Sequence, residues 1–340
     1  MKAVYVTGPG RAGWVEVPRP EVGPGDVLIK VRACGICGSD GMYTVHGGIP
    51  PREGATPLGH EPAGEVVEVG AKVVAVKVGD HVVPNPMAAP SGIIGSGGAH
   101  GGLADYLLIE DAVAGRTLRV VPDHLPWAVA ALNEPMAVAH HAVNRSGAKA
   151  GDTAVVFGAG PIGLGAAISL KSRGVAHVVV VDLVPSRLEK ALLAGADAVI
   201  NSAEVDAVAR LRQLHGEVPA RPGHAAKAGT DVYIDAAGAA QVVTTALTAA
   251  KRGAVLTIVA VHKRPVEVDF AEILGAEIDI RTSMGYPSEI FEVTDALIDN
   301  WERYAVIVSD EVPFEGALEA LALAATPGAA DKVVVTFDAD

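Results

Sequence analysis

Over its first 147 residues the chain places apolar side chains in short bursts. Residues 3–6, 26–33, 65–69, 81–83 and 106–109 each read as a strand of a few residues that breaks at Pro/Gly clusters. Short strands at that spacing predict a small, mostly antiparallel β-domain. From residue 148 the rhythm lengthens to strand, helix, strand, helix. Strands are expected over 153–157, 177–181, 198–200, 231–235, 255–259 and 278–282. Helices are expected over 161–173, 187–194 and up to residue 250, with a looser Pro/Gly/His stretch over 215–230. Such alternation is the mark of a parallel, doubly wound α/β sheet. The tail reverts to the first style, with helices near 288–300 and 315–324 and a strand over 332–337. It is expected to pack back on the first domain. That makes the second an insertion: 1–147 with 283–340, and 148–282.

Composition narrows the class. The 340 residues suffice for two cores, since single domains mostly run to about 100–200 residues. A net charge of −13 with no lysine or arginine run argues against a nucleic-acid backbone as partner. The N-terminus enters a strand and has no secretion-signal core. No segment reaches the ~18 uninterrupted apolar residues of a membrane span. A cytoplasmic location is expected, with no membrane partner.

Two segments carry chemistry. Val155-Val156-Phe157 runs into Gly158-Ala159-Gly160-Pro161-Ile162-Gly163, a glycine-rich turn that opens a helix. Gly158 permits the tight turn, Gly160 lets backbone approach a pyrophosphate, and Gly163 allows helix to pack on sheet. Asp182 closes the next strand about 20 residues on, where a carboxylate meets the adenosine ribose. It would repel a 2′-phosphate, so NAD is expected over NADP. Arg187 beside it would help hold the ribose or adenine.

The other segment is Cys34-Gly35-Ile36-Cys37-Gly38-Ser39-Asp40, followed by Gly59-His60-Glu61. A thiolate and an imidazole at glycine-softened points of strand-like sequence suit a zinc ion. Only two cysteines are present, which excludes a four-cysteine clamp and a disulfide framework. A redox dithiol is the competing reading, but that motif wants its first Cys at a helix N-terminus, and here the pair follows a strand.

Together with Gly79-Asp80-His81-Val82, Gly101-Gly102-Leu103-Ala104-Asp105-Tyr106 and Glu134-Pro135, these segments resemble the zinc-dependent medium-chain dehydrogenase/reductase family over nearly the whole chain. Within it the chain looks most like the polyol (sorbitol) and 2,3-butanediol dehydrogenases, a likeness helped by Thr282-Ser283-Met284-Gly285-Tyr286. The resemblance implies a GroES-like catalytic domain around a Rossmann coenzyme domain. It implies Cys37, His60 and Glu134 as protein ligands of one catalytic Zn2+, with Glu61 as a neighbouring carboxylate or alternate ligand. Asp40 would fix the tautomer of His60. Ser39 corresponds to the hydroxyl that takes the substrate proton, and Tyr43 either lines the pocket or is a core aromatic. A homodimer or homotetramer joined through 278–282 is implied as well.

Two departures stand out. Many relatives carry a histidine three positions beyond the Ser39 hydroxyl, where this chain has Met42; His46 is the nearest substitute base. The stretch 84–102, which holds a structural zinc in many relatives, has no cysteine, so one zinc per chain is expected and the loop must be held by packing or by a partner subunit. Histidines 100, 140 and 141 are expected to be structural. The expected reaction is NAD-linked interconversion of a secondary alcohol, a vicinal diol or polyol, and its ketone. L-threonine oxidation, a zinc-free NADPH-dependent reductase and a non-catalytic NAD-binding protein are the alternatives.

Overall fold

The computed structural model describes residues 1–49, 55–220, 225–326 and 328–338. It divides into two compact units: 1–134 with 290–340, and 135–289. The helix Asn133–Ser146 therefore falls in the second unit from Pro135 onward, ahead of the expected boundary at residue 147.

In the first unit a sheet runs Asp310–Pro313, Val333–Thr336, Val27–Gly35, Glu61–Val69, His81–Pro84, Leu118–Val121, with Tyr106–Ile109 also paired to Val27–Gly35. Val27–Gly35 is its spine. It is flanked on both edges and buried along most of its length, which is why its sequence reads as an apolar run. The tail strand pairs antiparallel with it, Val334 opposite Gly35 and Val335 opposite Cys34. Glu61 faces Gly35 from the other side. The tail thus returns to the first unit, as the apolar pattern indicated. A smaller sheet of Lys2–Gly8, Arg11–Glu16 and Thr56–Pro57 shares the core, with Val4, Val6, Val31, Cys34, Leu58 and Leu103 packed together.

The second unit holds six parallel strands in the order Ala198–Asn201, His177–Asp182, Thr153–Phe157, Val232–Asp235, Val255–Ile258, Asp279–Thr282. That order reverses between Thr153–Phe157 and Val232–Asp235, the switch point where open α/β sheets bind ligands. Val155, Val179, Tyr233 and Leu256 fill the core beneath Val243 and Leu247 of the helix Ala240–Ala249. Of the looser stretch over 215–230, residues 221–224 lie outside the described residues; Glu217–Val218 and Lys227–Ala228 form a small antiparallel pair.

Three differences from the expected pattern matter. Gly38–His46, where no helix was predicted, is a helix. The helix expected near 288–300 is a 3-10 turn, Glu289–Phe291, continuing as Glu292–Asp299. A strand at Asp310–Pro313 was unforeseen. Among the described residues no helix is long and apolar enough to cross a membrane.

Candidate functional site

Cys37 leaves the spine strand in extended conformation and caps the helix Gly38–His46. Asp40 in the first turn accepts the Cys37 N–H on Oδ2 at 2.8 Å, while its Oδ1 lies 3.3 Å from His60 Nδ1. One fully buried carboxylate therefore ties the cysteine and the histidine to each other. Gly59, at φ 89°, turns the chain so that His60 and Glu61 enter the adjacent strand; a Cβ there would sit 2.5 Å from the Leu103 nitrogen. The result is a cluster in which one donor atom each from Cys37, His60 and Glu61 lies within 4.8 Å of the others. Among the described residues this is the one such group of three or more.

Electrostatics mark the cluster as built for charge. His60 is buried, which opposes its protonation, yet the Asp40 carboxylate and the Cys37 sulfur outweigh burial and raise its pKa. Glu61 is 1% exposed, and its Oε1 has no hydrogen-bond partner. Its Oε2 pairs with Lys332 Nζ, which also donates to the Ile36 carbonyl at 3.0 Å. Lys332 went unnoticed in the sequence. It is a single lysine at the head of the tail strand, a position ordinarily solvated, and only its pairing with Val27–Gly35 reveals where it lies.

The other candidates spread around this cluster. Ser39 Oγ is 3.4 Å from His60 Nε2. Tyr43, on the same helix, sits with its ring 6.5 Å from that of His60 and its hydroxyl 3.1 Å from Ser96 Oγ. Glu134, in the first turn of Asn133–Ser146, stands outside the three-residue group, though its charge reaches Lys332. Met42 and His46 are exposed.

Cys34 points into the core, and burial pushes its thiol pKa up. This runs against the redox-dithiol reading: the helix N-terminus carries the second cysteine, and the first is buried in the core. The stretch 84–102 is held by its own backbone, with a 3-10 turn at Pro86–Ala88 capped by Asn85, Gly95 N–H to the His100 carbonyl at 2.7 Å, and Ile94 buried. His140 bonds Ser169 at 2.7 Å and His141 bonds Glu289 at 2.8 Å.

In the second unit the glycine turn has the geometry that a pyrophosphate requires. Gly158 is at φ 96°. Gly160 caps the helix Pro161–Ser172, with Pro161 in its first turn and Ile162 following. A Cβ on Gly160 would meet nothing within 4 Å, whereas one on Gly163 would sit 1.8 Å from the Gly158 carbonyl oxygen. The first glycine leaves open room and the second is compelled by packing. Asp182 accepts N–H groups from Ala159, Leu183 and Val184 at 2.7–2.9 Å, which holds its carboxylate beside the turn. Arg187 follows in the helix Pro185–Leu193.

Comparison with known proteins agrees with this geometry. Residues 23–118 match the model of the alcohol dehydrogenase GroES-like domain, and residues 161–300 that of zinc-binding dehydrogenases. The chain is 36% identical over 315 residues to (R,R)-butanediol dehydrogenase of Neisseria gonorrhoeae, covering 84% of each chain. It is 32% identical to sorbitol dehydrogenase of Bacillus subtilis, covering 90% of this chain and 88% of the relative. The crystal structure of 2R,3R-butanediol dehydrogenase from Bacillus subtilis superposes with a TM-score of 0.84 at 29% identity, covering 98% of this chain and 99% of that one. The fold and site thus define a two-unit, dinucleotide-type oxidoreductase. The chain belongs to the zinc-type medium-chain dehydrogenase/reductase family, in the branch of the butanediol and sorbitol dehydrogenases.

Proposed function

We propose that the protein is a zinc- and NAD-dependent dehydrogenase that interconverts a secondary alcohol, a vicinal diol or polyol, and its ketone. The observation carrying this reading is the convergence of Cys37, His60 and Glu61 around a buried carboxylate oxygen without a partner. A thiolate, an imidazole and carboxylates form a donor set suited to Zn2+. In this reading Cys37, His60 and Glu134 hold one zinc, and Glu61 is the alternate carboxylate. Bound zinc would acidify an alcohol oxygen, and bound NAD would accept hydride.

The chain's own residues do the rest. Asp40 keeps a proton on His60 Nδ1 and so leaves Nε2 as the donor nitrogen. Ser39, next to that nitrogen, takes the substrate proton. Tyr43 shapes the pocket, tethered through Ser96. The open face of Gly160, with Pro161, Ile162 and the helix N-terminus, accepts the pyrophosphate, and Asp182 with Arg187 meets the adenosine ribose. A carboxylate fixed by three backbone N–H groups disfavours a 2′-phosphate, which supports NAD over NADP. Homo-oligomer formation is proposed through the sheet edge Asp279–Thr282, where Ile280 is exposed.

The test is zinc per purified chain, alongside NAD-linked oxidation of 2,3-butanediol and L-threonine, in wild type and Cys37→Ala. About one zinc, lost in the variant together with turnover, is expected, with butanediol oxidised far faster than threonine. Active wild-type protein without zinc would move the reading to the zinc-free reductases, and the reverse substrate ranking would move it to a threonine dehydrogenase.

A further inference from the structure

Asp235 ends the strand Val232–Asp235 on one side of the switch point, as Asp182 ends its strand on the other. Each carboxylate is claimed by three donors. Those on Asp182 are backbone N–H groups, and the residue stays partly exposed, so a ribose can reach it. Asp235 is fully buried and out of a ligand's reach. Its Oδ1 accepts the Ala237 and Gly238 N–H groups at 3.0 and 2.9 Å, and its Oδ2 lies 2.7 Å from His262 Nε2, which donates.

Two loops meet at this carboxylate. Residues 236–238 leave the strand of Asp235 itself, and residues 259–262 leave the next strand, Val255–Ile258. The Asp235 carbonyl accepts the Val259 and Ala260 N–H groups at 3.0 Å each. Gly238, at φ 71°, lets the loops touch backbone to backbone: a Cβ there would sit 2.9 Å from the Val261 carbonyl oxygen. The first loop also abuts the glycine turn, where a Cβ on Gly158 would sit 3.1 Å from the Ala236 carbonyl oxygen. A buried carboxylate is costly to leave unpaired, so the imidazole locks the second loop to the first.

Open sheets of this order consist of two three-strand halves, each of which holds one mononucleotide of a dinucleotide. With the pyrophosphate at Gly160 and the adenosine at Asp182, the half that carries Asp235 and His262 is left for the nicotinamide mononucleotide. We propose that His262 and Asp235 are positioning residues for that half of the cofactor. The pair fastens loops 236–238 and 259–262 into one preformed wall, which spares the cofactor the cost of ordering them on binding. This rests on the NAD reading above. It goes beyond that reading by giving a role to a buried pair that meets neither the phosphates nor the adenosine.

The experiment is calorimetric titration with NAD and with ADP, which ends at the pyrophosphate, for wild type, His262→Phe and His262→Gln. Phenylalanine keeps the ring volume and removes the donor. Loops that hold their binding shape a tenth of the time weaken a ligand about tenfold. His262→Phe is therefore expected to bind NAD about tenfold more weakly and ADP within about twofold of wild type. His262→Gln, whose amide can donate to the same oxygen, should recover most of the loss. Hydrogen exchange on the wild type needs no variant to fold: NAD should slow the amides of 236–238 and 259–262, and ADP should not. Equal weakening of NAD and ADP in His262→Phe, no weakening of either, or equal protection by the two ligands would overturn the proposal while leaving the NAD reading intact. Wild-type protein that binds neither ligand would overturn both.

Discussion

The donor cluster of the first unit and the glycine turn of the second are both organised by glycines, but they are assembled in opposite ways. The turn is nearly contiguous: Gly158, Gly160 and Gly163 lie in one strand-to-helix passage, and Asp182 ends the neighbouring strand. The donor cluster draws on a helix cap at Cys37, a strand entry at His60 and Glu61, and a tail strand that begins beside Lys332. In the turn, glycine makes room for a ligand. In the cluster, Gly35 makes room for the protein's own ion pair. A local site tolerates change everywhere except at its few fixed atoms, whereas a dispersed site depends on the register of every strand that feeds it.

The sharpest way to break the comparison is within the turn itself. Gly163→Ala forces a methyl group against the Gly158 carbonyl at 1.8 Å, backbone on backbone, with no side chain able to yield. It should lower stability by about 1–3 kcal/mol and weaken NAD binding together. Gly160→Ala adds the same methyl group to open space, at φ −76° that alanine accepts. It should stay within about 0.5 kcal/mol of wild type in urea unfolding, yet still lose NAD affinity. If calorimetry shows Gly160→Ala binding NAD as tightly as the wild type, the open face of Gly160 is not the pyrophosphate cradle.

In the cluster, the corresponding pair is Gly35→Ala and Cys34→Ser. Gly35→Ala pushes into a carboxylate that Lys332 pins in place, so zinc content and stability should fall together, the latter by about 1–3 kcal/mol. Cys34→Ser puts a hydroxyl into a packed apolar core, costing about 1–3 kcal/mol by denaturant melt, while zinc content and turnover are retained. Loss of turnover at full zinc occupancy in Cys34→Ser would revive the dithiol reading.

The same contrast explains what could be read from the sequence. The parallel sheet was legible because strands buried on both faces write themselves as runs such as Val178-Val179-Val180-Val181, punctuated by helices. The turn was legible because its chemistry and its sequence neighbourhood coincide. Cys37, His60 and Glu61 could be named as metal-site candidates, but not how they meet. The helix that Cys37 caps contains Gly38, Gly41, Thr44 and Val45, all poor helix formers, and is held by the Asp40 cap and tertiary packing instead. Glu134 was assigned by resemblance, while the carboxylate found within the donor group is that of Glu61. Lys332 carried no local signal at all: its burial is a property of strand pairing across some three hundred residues of chain.

The smallest effect expected lies at the other end of the parallel sheet from the glycine turn. His177, at the start of its strand, places Nδ1 3.0 Å from His215 Nε2, and His215 Nδ1 lies 2.7 Å from Thr230 Oγ1. Burial, then the charge of His177 and that of Lys251, hold the His215 pKa down at about 4, with Asp231 opposing. In the unfolded chain the imidazole titrates near its ordinary value of about 6.5. Between those two values the unfolded state binds the proton and the folded state does not. The contribution of neutral His215 is thus fully present above about pH 6.5 and is lost as pH falls toward about 4. His215→Gln removes the titration. From pH 7 to pH 5 the wild type should therefore lose about 2–4 °C more in melting temperature than the variant. NAD affinity should not respond, because the turn proposed to bind it lies at the opposite strand ends. Equal losses in the two proteins would show that the histidine pair is solvated in the folded state, and a matching change in NAD affinity would show that the two ends of the sheet are coupled.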